Sequence, residues 1–251
     1  MSVINIQREP LLMDDMVSGL CLIPDPCNPE IDKSDLSGLL GIWAITPVQT
    51  HSCNVEVVDG YRRYFENTDA LITFEPDVPI GVKTADCVPI LVYAPDRQCV
   101  GAIHAGWKGT LGGIVDNVME VLEERGVDPS CLRVAFGPSI SRDVYEVDRT
   151  LADRFIQSGF GQYVHYPYGH DKKPHIDLQG VNMERFMRRG VKRENITLHS
   201  GCSFGSKKTD GSPKYASHRR SGGAPLRMLT CVMILSKTEK ERYARLFNGI
   251  G

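Results

Sequence analysis

The sequence lacks both a segment that could cross a membrane and a charge excess that would attract one. None of its apolar runs reaches the roughly 18 to 20 residues that a spanning helix needs. Residues 1–16 carry acids where a signal peptide has a basic end and an apolar centre. The formal net charge is -2, with acidic and basic residues interspersed. We therefore expect a cytoplasmic protein that binds neither a membrane nor nucleic acid.

Closely spaced cysteine pairs are also absent. The eight cysteines are scattered along the chain without a CxxC pair. A chain of 251 residues is large enough to fold without a disulfide scaffold. We therefore expect most of the cysteines to be reduced and to fill the core.

The length and composition indicate a single domain that covers residues 1–251. A hydrophobic content of 41% is ordinary for a packed globular protein, and this length is near the upper limit for one core. Apolar runs predict neighbouring strands at 88–93 and 99–104, and helical spacing predicts a helix over 114–125 that ends at Gly126. The resulting prediction is a mixed α/β fold, layered, with mixed β-sheets covered by helices.

The second half of the chain predicts the same kinds of element. Strands are expected at 132–136, 196–200 and 229–236, and helices at 149–156, 177–189 and 237–247. The strands are short and apolar, whereas the last helix is highly charged. Gly190 follows the second of these helices as a C-terminal stop.

Three potential metal ligands adjoin apolar runs in distant parts of the chain. They are His51 in PVQTHSCNV, Cys87 in KTADCVPIL and His104 in GAIHAGW. Their spacings of 36 and 17 residues exclude a zinc finger, whose ligands come in close pairs, but allow three loops to converge. Two histidines and one cysteine suit a catalytic zinc site with its fourth position open. On spacing alone, the alternative is two hydrogen-bonded core histidines and a packed cysteine.

Residues beside these positions suggest supporting roles. On an extended segment the Asp86 carboxylate would point away from Cys87, so we expect it to orient a ligating histidine or to cap a backbone amide. Lys108 and Thr110 lie in a Gly-rich turn before a helix, where a phosphate binds favourably. The GxxxxGK[ST] pattern is missing, and a plain capped turn is the alternative.

Aromatic and basic residues complete the candidate site. Trp107 could stack on a flat ring, or it could serve as a wall of the site. Arg219 and Arg220 adjoin a Gly-rich stretch, and the arginine fork suits phosphate or carboxylate. One of the two could face a site while the other meets solvent, or both could belong to a solvated basic turn.

Five stretches of the sequence, taken together, resemble one family. QTHSCNVEVV, TADCVPILVY, GAIHAGWKGT, FGPSISRDVYEV and SHRRSGG are similar to the laccase-domain, YfiH-type proteins, once described as multicopper polyphenol oxidases and now regarded as purine nucleoside phosphorylases. The resemblance covers roughly residues 49–235. It implies a CNF1/YfiH-like cysteine-hydrolase fold and a zinc ion bound by His51, Cys87 and His104.

The resemblance also implies a reaction and its substrates. These are phosphorolysis of adenosine, inosine and methylthioadenosine, with adenosine deamination as a side activity. Deamination requires a water activated at C6 of the purine. Phosphorolysis requires phosphate below the ribose C1′ and a cation or metal near the departing purine. The expected catalytic residues are His51, Cys87, His104 and Asp86; the expected substrate-binding residues are Trp107, Lys108, Thr110, Arg219 and Arg220.

Three alternatives stay open. A Cys87 thiolate activated by His104 could attack a carbonyl without a metal, as in a hydrolase or amidase. Copper could bind the same ligands and support a polyphenol oxidase, although the seven histidines include none of the HxH pairs of a four-copper centre. Zinc could also have a purely structural role and stabilise a binding module that has no catalytic activity. No long apolar stripe is left over, which favours a monomer.

Overall fold

The computed structural model describes residues 5–8, 17–23, 44–59, 62–223 and 226–238. The strands in these ranges are β1 (Asn5–Arg8), β2 (Val17–Ile23), β3 (Val55–Val57), β4 (Ala70–Thr73), β5 (Ile80–Thr84), β6 (Val88–Ala94), β7 (Cys99–Ala105), β8 (Arg133–Phe136), β9 (Val164–His165), β10 (His175–Ile176), β11 (Ile196–Thr197) and β12 (Met228–Ile234). The α-helices are α1 (Trp107–Gly112), α2 (Ile114–Glu124), α3 (Arg149–Phe155), α4 (Leu178–Arg188) and α5 (His218–Ser221).

The strands form three sheets. A six-stranded sheet has the order β11-β8-β6-β7-β4-β3, a four-stranded sheet has the order β1-β2-β12-β5, and β10 pairs with β9. Both parallel and antiparallel pairs occur in the six-stranded sheet. The prediction of a mixed α/β fold with mixed sheets and covering helices is therefore confirmed.

The six-stranded sheet is buried on both faces. Every residue of β6 and β7 is buried, because successive side chains point to opposite faces and both faces are covered. On one face Ile90 packs in a cluster with Val118 of α2 and Phe186 of α4. On the other face Leu91 packs in a cluster with Val232 of β12. The core therefore has a helical layer, a six-stranded sheet and a four-stranded sheet.

Several loops lie together at one edge of the six-stranded sheet. Strand β6 runs antiparallel to β7, with Val88 opposite Ala105, and β4 runs antiparallel to β7, with Ala70 opposite Ile103. Strand β3 runs parallel to β4. The residues that precede β3, β4 and β6 therefore lie at the same edge as the last residues of β7.

Most predicted elements are present, with two exceptions. The predicted strand at 196–200 was wrong beyond Thr197, because β11 pairs with β8 over two residues only and His199 Nδ1 then accepts the Gly201 N–H in a local turn. The predicted helix at 237–247 lies, after its first two residues, outside the described part of the chain. Among the described residues, no helix is both long and apolar enough to span a bilayer.

Candidate metal and active site

Three side chains from distant loops converge at the shared edge of the six-stranded sheet. His51 precedes β3, Cys87 precedes β6, and His104 lies near the end of β7. Their potential ligand atoms all lie within 4.8 Å of one another, and Cys87 Sγ is 3.7 Å from His51 Nε2. Imidazole nitrogen and thiolate sulfur are ligands that zinc and copper both accept. The cluster could therefore hold a metal ion.

The three residues differ in exposure. His104 is buried, Cys87 is half-buried and His51 is exposed. His51 has a φ of 61°, in the left-handed region that residues other than glycine adopt infrequently. The His51 ring lies edge-on to the His104 ring, with their centroids 4.8 Å apart. The cluster thus has a buried side formed by the sheet and an open side at His51.

Asp69, directly before β4, fixes both histidines. Its fully buried carboxylate accepts a hydrogen bond from His104 Nδ1 at 2.6 Å. It also accepts the backbone N–H groups of Thr50, His51 and Ser52 and the Ser52 hydroxyl. With the Nδ1 proton donated to Asp69, His104 presents Nε2 to the cluster. Carboxylates commonly orient metal-binding histidines in this way.

Gly106 has no side chain, and this leaves the space that the His51 and Cys87 side chains occupy. A Cβ atom built at this position would lie 2.7 Å from His51 Cδ2 and 3.1 Å from Cys87 Sγ. The residue has a φ of -74°, which any amino acid adopts, so space and not backbone conformation requires glycine here. The close approach of the backbone to the side chains of His51 and Cys87 fits a site that brings these two residues together.

The electrostatics of the cluster favour the ionised thiol. Burial by itself raises the pKa of the Cys87 thiol, but hydrogen bonds and charge from His104 and His51 outweigh burial and lower this pKa. Burial lowers the pKa of His104, and its hydrogen bonds to Asp69 and Cys87 outweigh that effect and raise it. Thiolate is the form that binds metals and acts as a nucleophile. Both chemistries are therefore open to Cys87.

Asp86 has one of its two predicted roles. It does not lie on an extended segment, because its φ is 84° and the chain turns there. Its carboxylate accepts the Ser203 hydroxyl at 2.6 Å and the Arg219 backbone N–H at 2.8 Å. It therefore caps a backbone amide at the start of α5, while Asp69 orients the histidine. Nothing in the local pattern TDALIT distinguishes Asp69 from other acids that precede strands, so the sequence alone does not point to this residue.

Trp107 and Arg219 line a cavity of about 470 Å³ together with Tyr145. The Arg219 guanidinium donates to the carbonyls of Val144 and Glu146 and lies 5.1 Å from the Tyr145 ring centroid. Burial, followed by the negative charges of Cys87 and Asp86, raises the pKa of Tyr145. The negative charge of Cys87 therefore acts on Tyr145, a residue that lines this cavity.

Lys108 lines a second cavity, of about 410 Å³, on the Trp107 side of α1. Its side chain is exposed, and Nζ lies 5.6 Å from the Trp107 ring centroid. Trp107 lines both cavities. Trp107 is thus a wall that both cavities share, whereas Lys108 lines the second cavity and not the first.

Thr110 and Arg220 line neither cavity. Thr110 is fully buried inside α1, and its hydroxyl accepts a hydrogen bond from Asn182 of α4 at 2.9 Å. The Arg220 guanidinium donates to the backbone carbonyls of Ser203, Phe204 and Tyr215. These polar groups make contacts within the fold, and the substrate-binding roles of Thr110 and Arg220 stay predictions.

Comparisons with known proteins show a family and individual relatives to which this chain is similar. The family described as multi-copper polyphenol oxidoreductase laccase matches residues 34–235. A purine nucleoside phosphorylase of Deinococcus radiodurans is 34% identical over 81% of this chain and 76% of its own length. Adenosine deaminase RL5, from an unknown prokaryotic organism, is 36% identical over 63% of this chain and 64% of its own length.

Solved structures show the same fold. The hypothetical protein YfiH of Bacillus licheniformis has a TM-score of 0.75 at 23% identity, covering 88% of this chain and 93% of that one. YlmD of Geobacillus stearothermophilus has a TM-score of 0.73 at 23% identity, covering 91% of this chain and 94% of that one. At these identities the likeness concerns the fold alone.

Proposed function

Because the chain belongs to the multi-copper polyphenol oxidoreductase laccase family, whose relatives include proteins named purine nucleoside phosphorylase and adenosine deaminase, we propose that it is a zinc-dependent purine nucleoside phosphorylase. Its substrates are adenosine, inosine and methylthioadenosine, and adenosine deamination is a second activity. The observation that carries the proposal is the convergence of His51, Cys87 and His104 at one edge of the six-stranded sheet.

The donor set supports one metal ion in preference to a multicopper centre. In the part of the chain that the structure describes, these three side chains form the group able to hold a metal. A four-copper centre needs many more histidines, and the whole chain has seven, with no HxH pair. Two imidazoles and one thiolate leave a zinc coordination position open to a reactant. Copper can occupy such ligands, since affinity peaks at copper among first-row divalent ions.

A zinc ion held by these ligands supplies Lewis-acid chemistry, which polarises an oxygen or activates water. The protein's own residues supply position and charge. Asp69 holds the His104 ring and the turn that carries His51. Trp107 and Tyr145 offer apolar ring surface to a flat purine in the first cavity. Arg219, held by two backbone carbonyls, places a positive charge in the same cavity.

This arrangement matches the charge changes of phosphorolysis. A phosphate oxygen forms a bond to ribose C1′, and the bond from C1′ to the purine nitrogen breaks with its electron pair moving onto the purine. A fixed cation near the purine stabilises that developing charge without reorganisation. In deamination, water adds at C6 and ammonia leaves, which requires water to reach the same cavity.

A second function is favoured by the carboxylate beside His104. Cys87, His104 and Asp69 have the order of groups expected of a nucleophile, its base and a residue that orients the base. In the absence of metal, this set would support attack of the Cys87 thiolate on a carbonyl, as in a hydrolase or amidase. Both functions use Cys87, but only the first requires a metal ion.

Inosine with inorganic phosphate distinguishes the two functions. We expect hypoxanthine release by the zinc-loaded protein, its loss on chelation, its recovery with zinc, and its loss in Cys87→Ala. Cys131→Ala, which alters an exposed cysteine away from the cluster, is the matched control and should retain activity. Turnover that survives chelation but not Cys87→Ala would favour the thiolate function. No turnover of inosine, adenosine or methylthioadenosine by metal-loaded protein would refute the proposal.

A further inference from the structure

The two cavities that share Trp107 differ in charge. The first cavity is lined by two acids, Glu146 and Asp148, and by two cations, Lys173 and Arg219, so its formal charges balance. Lys173 Nζ is 3.3 Å from Glu146 Oε1, which neutralises part of the wall directly. A cavity of this kind suits an uncharged polar ligand with a flat ring. It fits the nucleoside of the proposed function.

The second cavity has cations and no acid in its lining. Lys108 and Arg154 line it together with Ser158, Leu111, Gly112 and Trp107. Both cations lie against the same indole, with Arg154 Cζ 5.3 Å and Lys108 Nζ 5.6 Å from the ring centroid. A concave surface lined by charges of one sign concentrates the potential and attracts an ion of opposite sign.

Neither cation is neutralised within the described part of the chain. No ion pair there involves Lys108 or Arg154. Arg188 and Arg189, by contrast, are exposed or half-exposed arginines that pair with Glu184 and Glu123. Two like charges held beside one ring repel each other, and an anion between them would remove that repulsion.

We propose that the cavity lined by Trp107, Lys108, Arg154 and Ser158 binds a phosphate group. The guanidinium and ammonium groups supply charge-assisted donors, and the Ser158 hydroxyl supplies a neutral one. Trp107, which lines the cavity, directly follows Gly106, whose backbone lies close to the side chains of His51 and Cys87. The choice of phosphate among anions rests on the proposed function, whereas the cationic lining does not. Arg154 and Ser158 are thereby added to the site.

The phosphate group could be inorganic phosphate, as co-substrate, or the 5′-phosphate of a nucleotide. Calorimetric titration of the zinc-loaded protein with inorganic phosphate and with adenosine 5′-phosphate, at constant ionic strength, separates these sources. The variants are Lys108→Gln and Arg154→Gln. The matched controls are Arg63→Gln and Lys192→Gln, which remove the same charges from exposed positions outside the cavity.

We expect each cavity variant to weaken binding of the phosphate group about tenfold, or about 1.4 kcal/mol, and each control to change it less than twofold. Weakened binding of inorganic phosphate assigns the cavity to the co-substrate; an effect confined to adenosine 5′-phosphate assigns it to a nucleotide. Either result supports a phosphate site. Binding that is undetectable, unchanged in both variants, or equally weakened in the controls overturns it.

The same measurements separate this inference from the proposed function. Binding is read without turnover, so a protein that fails to cleave inosine could still bind phosphate through Lys108 and Arg154. Conversely, nucleoside cleavage that is lost in Cys87→Ala but unaffected by both cavity variants would preserve the proposed function and place the phosphate elsewhere. Circular dichroism melting of each variant checks that the substitutions leave the fold intact.

Discussion

The Asp69 carboxylate lies 2.6 Å from His104 Nδ1 and at the same time accepts the backbone N–H of His51. One buried acid therefore sets the ring orientation of one candidate metal ligand, His104, and the backbone of another, His51. Its hydrogen bonds to His104 and Ser52 outweigh the effect of burial and lower its pKa to about 2, so the carboxylate is ionised at neutral pH. The geometry of the cluster depends on this residue although it is not itself a ligand.

Replacing this acid by its amide should weaken metal binding and also lower the stability of the fold. In Asp69→Asn an N–H donor replaces an acceptor that faces several donors, which costs about 1–3 kcal/mol of stability. We expect zinc affinity to fall about 10- to 100-fold, the usual effect of losing the group that orients a ligating histidine. Competition with a chromogenic chelator measures the affinity.

An exposed aspartate provides the control for that experiment. Asp143→Asn removes the same charge from a side chain that is 80% exposed and that forms an ion pair with Arg142. Its zinc affinity should equal that of the wild type. Equal zinc affinities in Asp69→Asn and Asp143→Asn would contradict the positioning role of Asp69.

Gly106→Ala should disturb the cluster by steric contact alone. The new methyl group would lie 2.7 Å from His51 Cδ2 and 3.1 Å from Cys87 Sγ, so at least one ligand must move. We expect reduced zinc stoichiometry in protein that remains folded. Gly161→Ala is the matched control, because its methyl group would meet nothing closer than 3.7 Å and its φ is -57°. Full zinc loading of Gly106→Ala would show that the site is looser than these distances indicate.

Zinc should stabilise the protein through the same three ligands. A ligand at about 100 times its dissociation constant adds about 2.7 kcal/mol to the stability of the folded state. For a chain of this size each kcal/mol raises the Tm by about 2–4 °C. Calorimetric scans of metal-free protein with and without zinc should show this rise in the wild type and in Cys131→Ala, and its loss in His51→Ala and Cys87→Ala. A rise that persists in both cluster variants would locate the stabilising zinc elsewhere.

The sequence predicts the central strands well, because their signal is local. The apolar runs of β6 and β7 and the stripe of α2 need no knowledge of the rest of the chain, and the structure has these elements within a residue or two of the predicted bounds. The family resemblance, carried by TADC and HAGWKGT, is confirmed by the family match. The spacing of His51, Cys87 and His104 along the chain does not by itself predict whether the three side chains meet.

The missing information was which strands are neighbours. Asp69 reaches His104 because β4 lies beside β7, with Ala70 opposite Ile103. No strand at 70–73 was predicted, so this contact could not be foreseen. The misplacement of Thr110 has a similar cause. The Gly-rich stretch looked like an open turn, but α1 begins at Trp107, which puts Thr110 inside a helix and against α4. Both errors come from tertiary contacts that local patterns do not encode.

Asp86 should contribute to stability and leave metal binding unchanged, although it adjoins a ligand. Its carboxylate links the turn before β6 to Ser203 and to the backbone of Arg219. Asp86→Asn keeps a side chain that tolerates the positive φ of 84° and so tests the hydrogen bonds alone. The carboxylate uses one oxygen for each donor, whereas the amide has a single oxygen and can accept only one of the two hydrogen bonds in the same way. We expect the free energy of unfolding to fall by about 1–2 kcal/mol, comparable to the loss of a helix cap.

A double-mutant cycle with Ser203→Ala isolates the contact. Ser203 is fully buried and donates to Asp86 Oδ1 at 2.6 Å, so the two substitutions should be non-additive, with a coupling of about 0.5–3 kcal/mol in urea unfolding. Zinc affinity should be measured on the wild type, the two single variants and the double variant. It should stay within twofold of the wild type, because the hydrogen bonds of Asp86 go to Ser203 and Arg219 and to none of the three candidate ligands. If zinc affinity instead falls with each substitution while the stabilities add, Asp86 acts on the cluster and its role is that of a positioning residue for Cys87.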